Sequence, residues 1–452
     1  MNQKAVDTYL HDTSGCKVQS IPGSHVRWSG RASYYTHKSL VEGLLGEGVA
    51  PLTERIENLF RSELEDAVPI SSEWTYEWDL TDFLQEHLSS AILQALYGPL
   101  LIRQDDEFIS KLWKYDNGIM SLMRRLPSWM VPKMYRYRDD LVDSIMRWHH
   151  QAVQLSESDI RGTHGPQPDG FDVYWGTTMM RDRYKTLLAM DGQDPRSVAS
   201  TDLAFIWATV TNVVPSAMTL CTQVFQDNSL AEKIRTESQQ CLQPGTELRF
   251  DMDRLTTTAP LLLSMYAETL RFGVQIHIPR CSPYQPLAVG NGSVPAGKMA
   301  IINTAIAHTD EDVWNTAGGK HPLDTFWPQR FLINPFDNES GPLKQGTTSP
   351  LSSPTQNKIR EMSQQSSSSE GVFSTEGLDG SWIPFGGGQH ACPGRLLAKR
   401  IMLSATAMMS TMLEVELLDP ETPVKFESPR FGFGVRKPVM EVPFRVRRRI
   451  QH

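Results

Sequence analysis

The chain has 452 residues, 40% hydrophobic and 21% charged, with a formal net charge of −8, which excludes a wholly disordered or fibrous protein. The negative balance gives no global attraction for nucleic acid, so no nucleic-acid partner is expected. The basic run Arg445, Arg447, Arg448, Arg449 reads as a solvated C-terminus.

At the start, the first twenty residues carry neither a signal-peptide core nor a membrane anchor, and no run of about 18 apolar residues follows. A span across a membrane is therefore not expected in the chain as given. From Pro51 to Ala67 the residues Leu52, Ile56, Leu59, Phe60 and Leu64 recur with the period of an amphipathic helix. From Asp79 to Tyr97 the pattern repeats through Leu80, Phe83, Leu84, Leu88, Ile92 and Leu96, behind a cap from Asp79 or Thr81. Helices are predicted again at Arg138–Ser156, Tyr174–Met190, Ser197–Gln226, Leu230–Leu242 and Pro260–Phe272. Strands are predicted only later, at Val274–Ile278, Lys298–Ile302 and Val435–Val446, where β-branched residues lie between Pro and Gly. The expected class is mainly α with minor β.

The stretch Asp337–Ser381 is rich in Ser, Gly, Pro, Thr and Gln, and is expected to be a disordered surface insertion. Length alone permits two or three domains or one large core. Nothing else resembles a linker, so a single domain over 1–452 is predicted.

The five cysteines, Cys16, Cys221, Cys241, Cys281 and Cys392, lie far apart with no C-x-x-C pair, as suits a reducing compartment. Cys392 differs from the rest. The segment WIPFGGGQHACPGR, Trp382–Arg395, sets an aromatic and three glycines before it and a proline and a strongly helical run after it. Glycines permit positive φ and close approach to a flat ligand, and a helix start offers unpaired N–H groups, so a Cys392 thiolate is expected to be stabilised there. The plain alternative is a buried cysteine at a tight turn.

The spacing of Phe385, Gly386, Gly388, Cys392 and Gly394 resembles the haem-binding loop of the cytochrome P450 family. That resemblance implies the cytochrome P450 fold, haem b as cofactor and Cys392 as the axial thiolate ligand to its iron. His390 stands where the family more often has arginine. Glu268 and Arg271 lie three apart on one predicted helix, and FWPQRF, Phe326–Phe331, follows before the cysteine loop. By resemblance Glu268, Arg271 and Arg330 form a buried, charge-paired structural cluster. Arg280, after QIHIP, matches a haem-propionate arginine, and an exposed arginine at a strand end is the alternative. Tyr35-Thr36-His37-Lys38 falls where a family helix sends Trp and Arg toward the propionates.

The predicted Ser197–Gln226 helix resembles the family's long distal helix, with Thr211-Asn212 in place of the usual acid-threonine pair and Pro215 just beyond. This resembles the branch of sterol 7α-hydroxylases and prostacyclin synthase. The resemblance implies that Asn212 and Thr211 position oxygen and protons, and that Pro215 kinks the helix. A core helix with a locally satisfied Asn is the alternative. The match runs from about Val26 to the C-terminus, so the family's anchor, first helix and first strands are expected ahead of Met1.

The resemblance implies a monooxygenase that uses O₂ and NADPH to hydroxylate or epoxidise an apolar small molecule in fungal secondary metabolism. Its electrons would come from NADPH–cytochrome P450 reductase, docking near Arg395, Lys399 and Arg400 on the cytoplasmic face of the endoplasmic reticulum membrane. Val274, Phe431 and Phe433 are the expected substrate contacts, in a pocket suited to terpenoid, steroid or polyketide ligands, with ordinary core packing as the alternative for the two rings. Two other readings stay open: a haem-thiolate isomerase that rearranges a peroxide without reductase, and an inactive truncated haem protein.

Overall fold

A computed structural model describes residues 3–449 apart from 72, 160–166, 246–247, 335, 338, 345–370 and 428–431. Its axis is α9 (Pro195–Phe225), 31 residues long and so about 46 Å. Asp194 and Ser197 start it with a reciprocal capping box, each side chain bonding the other's backbone N–H (2.8 and 2.7 Å), with Pro195 in the first turn. By length and composition α9 could cross a membrane, yet most of it is buried inside the protein. Helices α4 (Leu80–Tyr97), α7 (Pro132–Ser158) and α14 (Arg395–Met412) pack along it.

The remaining helices in chain order are α1 (Gln3–His11), α2 (Ala32–Leu45), α3 (Val49–Ala67), α5 (Pro99–Arg103), α6 (Phe108–Met123), α8 (Thr178–Leu188), α10 (Asn228–Gln240), α11 (Met252–Leu255), α12 (Pro260–Gly273) and α13 (Thr304–His308). At the head of α4 it is Asp79 that caps, accepting from Thr81 N–H at 2.9 Å. Buried charge joins α7, α8 and α9. Asp202 accepts from Arg183 Nε at 2.8 Å and lies 3.1 Å from His149 Nε2, all three nearly inaccessible to solvent. Helices α1, α2, α5, α6, α11 and α13 have no counterpart among the predicted elements. Lys111, Lys114, Asp116, Asn117 and Gly118 interrupt the apolar period of α6, and the polar side of its Asp116 turns out to be paired inside the protein.

The sheets are small. Strand β4 (Val274–Cys281) lies between β7 (Met299–Asn303) and β11 (Phe433–Val435), all antiparallel, with Val274 opposite Val435 and His277 opposite Asn303. A second sheet runs β1 (Thr75–Glu77), β12 (Phe444–Arg448), β10 (Leu413–Leu417). Strands β2 (Phe171–Asp172) and β3 (Gly176–Thr177), β5 (Leu287–Val289) and β6 (Gly292–Val294), and β8 (Leu332–Ile333) and β9 (Val372–Phe373) form two-stranded pairs.

Three expectations need correction. The predicted strand Val435–Val446 is two strands in different sheets, because Pro438 and Pro443 cannot donate to a ladder. The basic run is not a loose tail, since Arg445 and Arg447 lie in β12 and pair with Glu416 and Glu414 directly opposite on β10. The predicted disordered stretch 337–381 is too wide. Residues 345–370 lie outside the described residues, but on the far side β9 pairs with β8 and Leu378 is fully buried.

Glu57, on α3 against α14, is 3% exposed, and its Oε1 has no hydrogen-bond partner among the described residues. Burial pushes its carboxyl from the ordinary 4.5 up to about 7, against the pull of Arg61. The folded chain therefore holds a proton there that the unfolded chain releases earlier, and stability falls as pH rises from 4.5 to about 7. Glu57→Gln is expected to flatten that slope and to raise unfolding stability at pH 8 by up to about 3 kcal/mol. Urea denaturation of both proteins across that pH range measures it.

Candidate active site

The loop before α14 is shaped by two glycines in the left-handed region, Gly386 (φ 73°) and Gly388 (φ 64°). Cys392 N–H closes the loop on Phe385 O at 2.8 Å, and Ala391 N–H on Gly388 O at 3.1 Å. Cys392 then faces a cavity of about 470 Å³. On the cysteine side its wall is Phe385, Gly386, His390, Gly394, Leu397 and Ile401; on the other it is Phe205, Trp207, Ala208, Thr209, Asn212, Val213 and Ser216 of α9. Leu40 and Leu44 of α2, Ile92 and Leu96 of α4, Val274 and Ile276 of β4, and Phe433, Gly434 and Val435 of β11 close the sides. The lining is overwhelmingly apolar, as a small-molecule site requires.

Polar groups gather at one edge. Arg280 reaches the loop through Nη2 to Gly387 O at 3.1 Å, and His390 lies beside it. Burial, then the charges of Arg280 and His37, pulls the His390 imidazole below its usual range, and Cys16 Sγ sits 3.8 Å from its Nδ1. His37 of α2 thus stands close to His390 and Arg280. Cys392 departs from expectation in one respect. Burial raises its thiol above the ordinary value, and the Gly394 N–H and Arg395 oppose this without overcoming it. The helix start alone does not make a thiolate.

On α9, Asn212 is held from two sides. Its Nδ2 donates to Ala208 O at 3.0 Å and its Oδ1 accepts from Val435 N–H at 3.4 Å. A Cβ at Gly434 (φ 136°) would stand 2.9 Å from that Oδ1, so glycine is needed for this approach. Thr211 does not line the cavity. It is fully buried and its hydroxyl donates to Trp207 O at 2.8 Å, because one residue along a helix turns a side chain by about 100°. Thr209 and Ser216 face the cavity instead, and the spacing 209, 212, 216 in the sequence was the signal that could have shown it. The Thr209 hydroxyl bonds Tyr97 OH at 2.9 Å. The helix continues through Pro215. Phe433 is at the cavity with 44% exposure, Val274 is buried in its wall, and Phe431 lies outside the described residues.

The charged cluster stands behind the loop. Glu268 Oε2 accepts from Arg271 Nε at 2.7 Å, and Oε1 from Arg271 Nη2 at 2.8 Å, Arg330 Nε at 3.0 Å and Trp327 N–H at 3.1 Å. All three charged side chains are inaccessible. Arg271 also donates to His308 O, whose ring Nε2 accepts from Ile383 N–H at 3.2 Å, and Trp382 Nε1 donates to Ala267 O at 3.2 Å. Burial holds the His308 imidazole down at about 4, so it accepts as the neutral ring. On α14, Arg395 bonds Cys392 O, Lys399 bonds Thr256 O and Arg400 bonds Asp253.

A family model described as "Cytochrome P450" matches residues 47–444. The chain belongs to the cytochrome P450 family. It is 31% identical to the cytochrome P450 monooxygenase fsoE of Humicola fuscoatra, over 98% of this chain and 75% of that protein. It is likewise 31% identical to the cytochrome P450 monooxygenase efuG of Hormonema carpetanum, over 98% and 77%. A solved structure, the retinoic acid bound cyanobacterial CYP120A1, aligns with a TM-score of 0.62 over 98% of this chain and 83% of its own, at 15% identity, and so speaks to the fold. The protein is a P450 monooxygenase, and the family implies a haem iron cofactor, O₂, a redox partner and a small-molecule substrate.

The residues present fit such a group: a cysteine in the lining of an apolar cavity, glycines that let the backbone approach, and cationic or imidazole side chains at one edge. Removing the central acid behind the loop leaves Arg271 and Arg330 buried without their partner. Glu268→Ala is expected to cost about 3–5 kcal/mol and to yield haem-free or misfolded protein. A soluble, haem-replete variant with the wild-type denaturation midpoint would contradict this.

Proposed function

We propose that the P450 binds haem b through the Cys392 thiolate and catalyses NADPH- and O₂-dependent hydroxylation or epoxidation of an apolar small molecule in fungal secondary metabolism. The observation that carries this is Cys392 facing an apolar cavity of about 470 Å³ whose opposite wall presents Asn212, Thr209 and Ser216. Haem bound there would supply the redox centre for a reaction in which O₂, two electrons and two protons give one oxygen atom to the substrate and the other to water. Arg280 and His390, with His37 close by, would receive its propionates, and Gly386 and Gly388 admit its flat face. The sequence match to fungal monooxygenases supports the secondary-metabolite assignment.

The chain's own residues handle protons without an acid at the cavity wall. A primary amide has two N–H donors and an acceptor oxygen with two lone pairs. Asn212 spends one donor on Ala208 and one lone pair on Val435, which leaves a donor and an acceptor for a water. The Thr209 hydroxyl donates to the backbone carbonyls of Phe205 and Ile206, and the Ser216 hydroxyl to Asn212 O, so both offer lone pairs to that water, and none of the three side chains titrates near neutrality. Val274, Phe433 and the aliphatic walls exclude bulk water and favour terpenoid, steroid or polyketide substrates. NADPH–cytochrome P450 reductase is the proposed electron donor, on the face carrying Arg395, Lys399 and Arg400, and the endoplasmic reticulum membrane is the proposed location.

Cys392→Ala is expected to abolish the red-shifted reduced-CO band of thiolate-ligated haem. Wild-type turnover should require NADPH, O₂ and added reductase. Persistence of the band in the variant, or turnover of a peroxide without reductase, overturns the reading. Phe433→Ala should change product distribution while keeping haem. Being 44% exposed at the cavity, Phe433 should lose well under the ~3–5 kcal/mol of a buried phenylalanine, as chemical denaturation would show.

A further inference from the structure

A further buried ion pair stands against the cavity wall. Asp116 of α6 is 1% exposed and Lys437, two residues past β11, is 6% exposed. Lys437 Nζ lies 2.8 Å from Asp116 Oδ2. The other carboxylate oxygen accepts from the indole Nε1 of Trp207 at 2.7 Å. Trp207 lines the cavity five residues before Asn212 along α9. Lys437 also donates to Asn117 and lies 5.7 Å from the Trp113 ring centroid, and Trp113 Nε1 donates to Ser89 of α4.

These contacts join elements far apart in sequence: α6, α9 and the segment that follows the cavity-lining β11. A buried carboxylate without a counter-ion is strongly disfavoured, so Lys437 is what makes a charged acceptor tenable there. A charge-assisted hydrogen bond is about twice as strong as a neutral one, and it fixes an indole that could otherwise occupy other rotamers.

We propose that Asp116, neutralised by Lys437, is a specificity-determining positioning residue that holds the Trp207 indole as a fixed wall and so limits the size of substrate the cavity admits. This rests on the reading that the cavity in front of Cys392 takes the haem and the substrate.

The test titrates haem-loaded protein spectroscopically with imidazole and with a biphenyl-substituted imidazole, and takes the ratio of the two Kd values. Asp116→Leu with Lys437→Met removes both charges at similar volume and deprives the indole of its acceptor. That pair should improve relative binding of the bulky probe about tenfold, or about 1.4 kcal/mol. Trp207→Phe, which lacks the N–H, should move the ratio the same way even if the double variant fails to fold. Asp116→Asn with Lys437→Met keeps a neutral oxygen for the indole and should bring the ratio back most of the way toward the wild-type value. Ratios that stay at the wild-type value in Trp207→Phe and the Leu/Met pair, or that shift equally in the Asn/Met pair, overturn the assignment alone. A wild type that gives no spectral change with either probe overturns the cavity reading, and this inference with it.

Discussion

The Glu268 carboxylate is the constraint on which the rest of the site depends. It is inaccessible to solvent, and its two oxygens accept from Arg271, Arg330 and the backbone of Trp327. Two guanidinium groups and one carboxylate leave surplus positive charge, and the surplus donors go to backbone carbonyls of His308, Leu323 and Asn315. The bonds to Leu323 and Asn315 pin stretches with little regular structure of their own, and the bond to His308 ties down the end of α13. Through His308 to Ile383, and through Trp382 to Ala267, the same network fixes where the cysteine loop begins. A cysteine aimed at a cavity from a glycine-rich loop needs that external support, because glycines contribute no side-chain packing.

The second organising element is α9, which works on two faces. One face is core, carried by Val210, Val214, Ala217 and Leu220. The other presents Thr209, Asn212 and Ser216 to the cavity. Asn212 belongs to both the local and the functional alternatives: its amide is satisfied by Ala208 and Val435, yet half of its hydrogen-bonding capacity is uncommitted. The tie to Val435 also holds β11 against the helix, so the residue that faces the cavity is at the same time what sets the position of its side wall.

Much of the fold was legible in the sequence wherever an element buries one face. The periods through Leu52–Leu64 and Leu80–Leu96, the Pro-initiated α12 and the long central helix all appeared within a few residues of their bounds. The glycine and proline punctuation around Cys392 announced a loop leading into a helix. Elements whose polar residues are paired inside were hidden, as with α6, whose Asp116 looks like a surface residue until Lys437, 321 positions on, is brought to it.

The sequence by itself therefore determined the class of fold, the cysteine loop, the order of the three motifs and the apolar faces, since all of these follow from local spacing. Only the tertiary structure decided which side chains share the cavity. It turned Thr211 into the core and Thr209 toward Cys392, brought His37 beside His390 and Arg280, and placed Trp207 on a buried Asp116. At Cys392 desolvation raises the thiol, while the Gly394 N–H and Arg395 of the adjoining helix start oppose it. Spacing along a chain carries periodicity, but desolvation and charge pairing depend on distance in space, which no local pattern records.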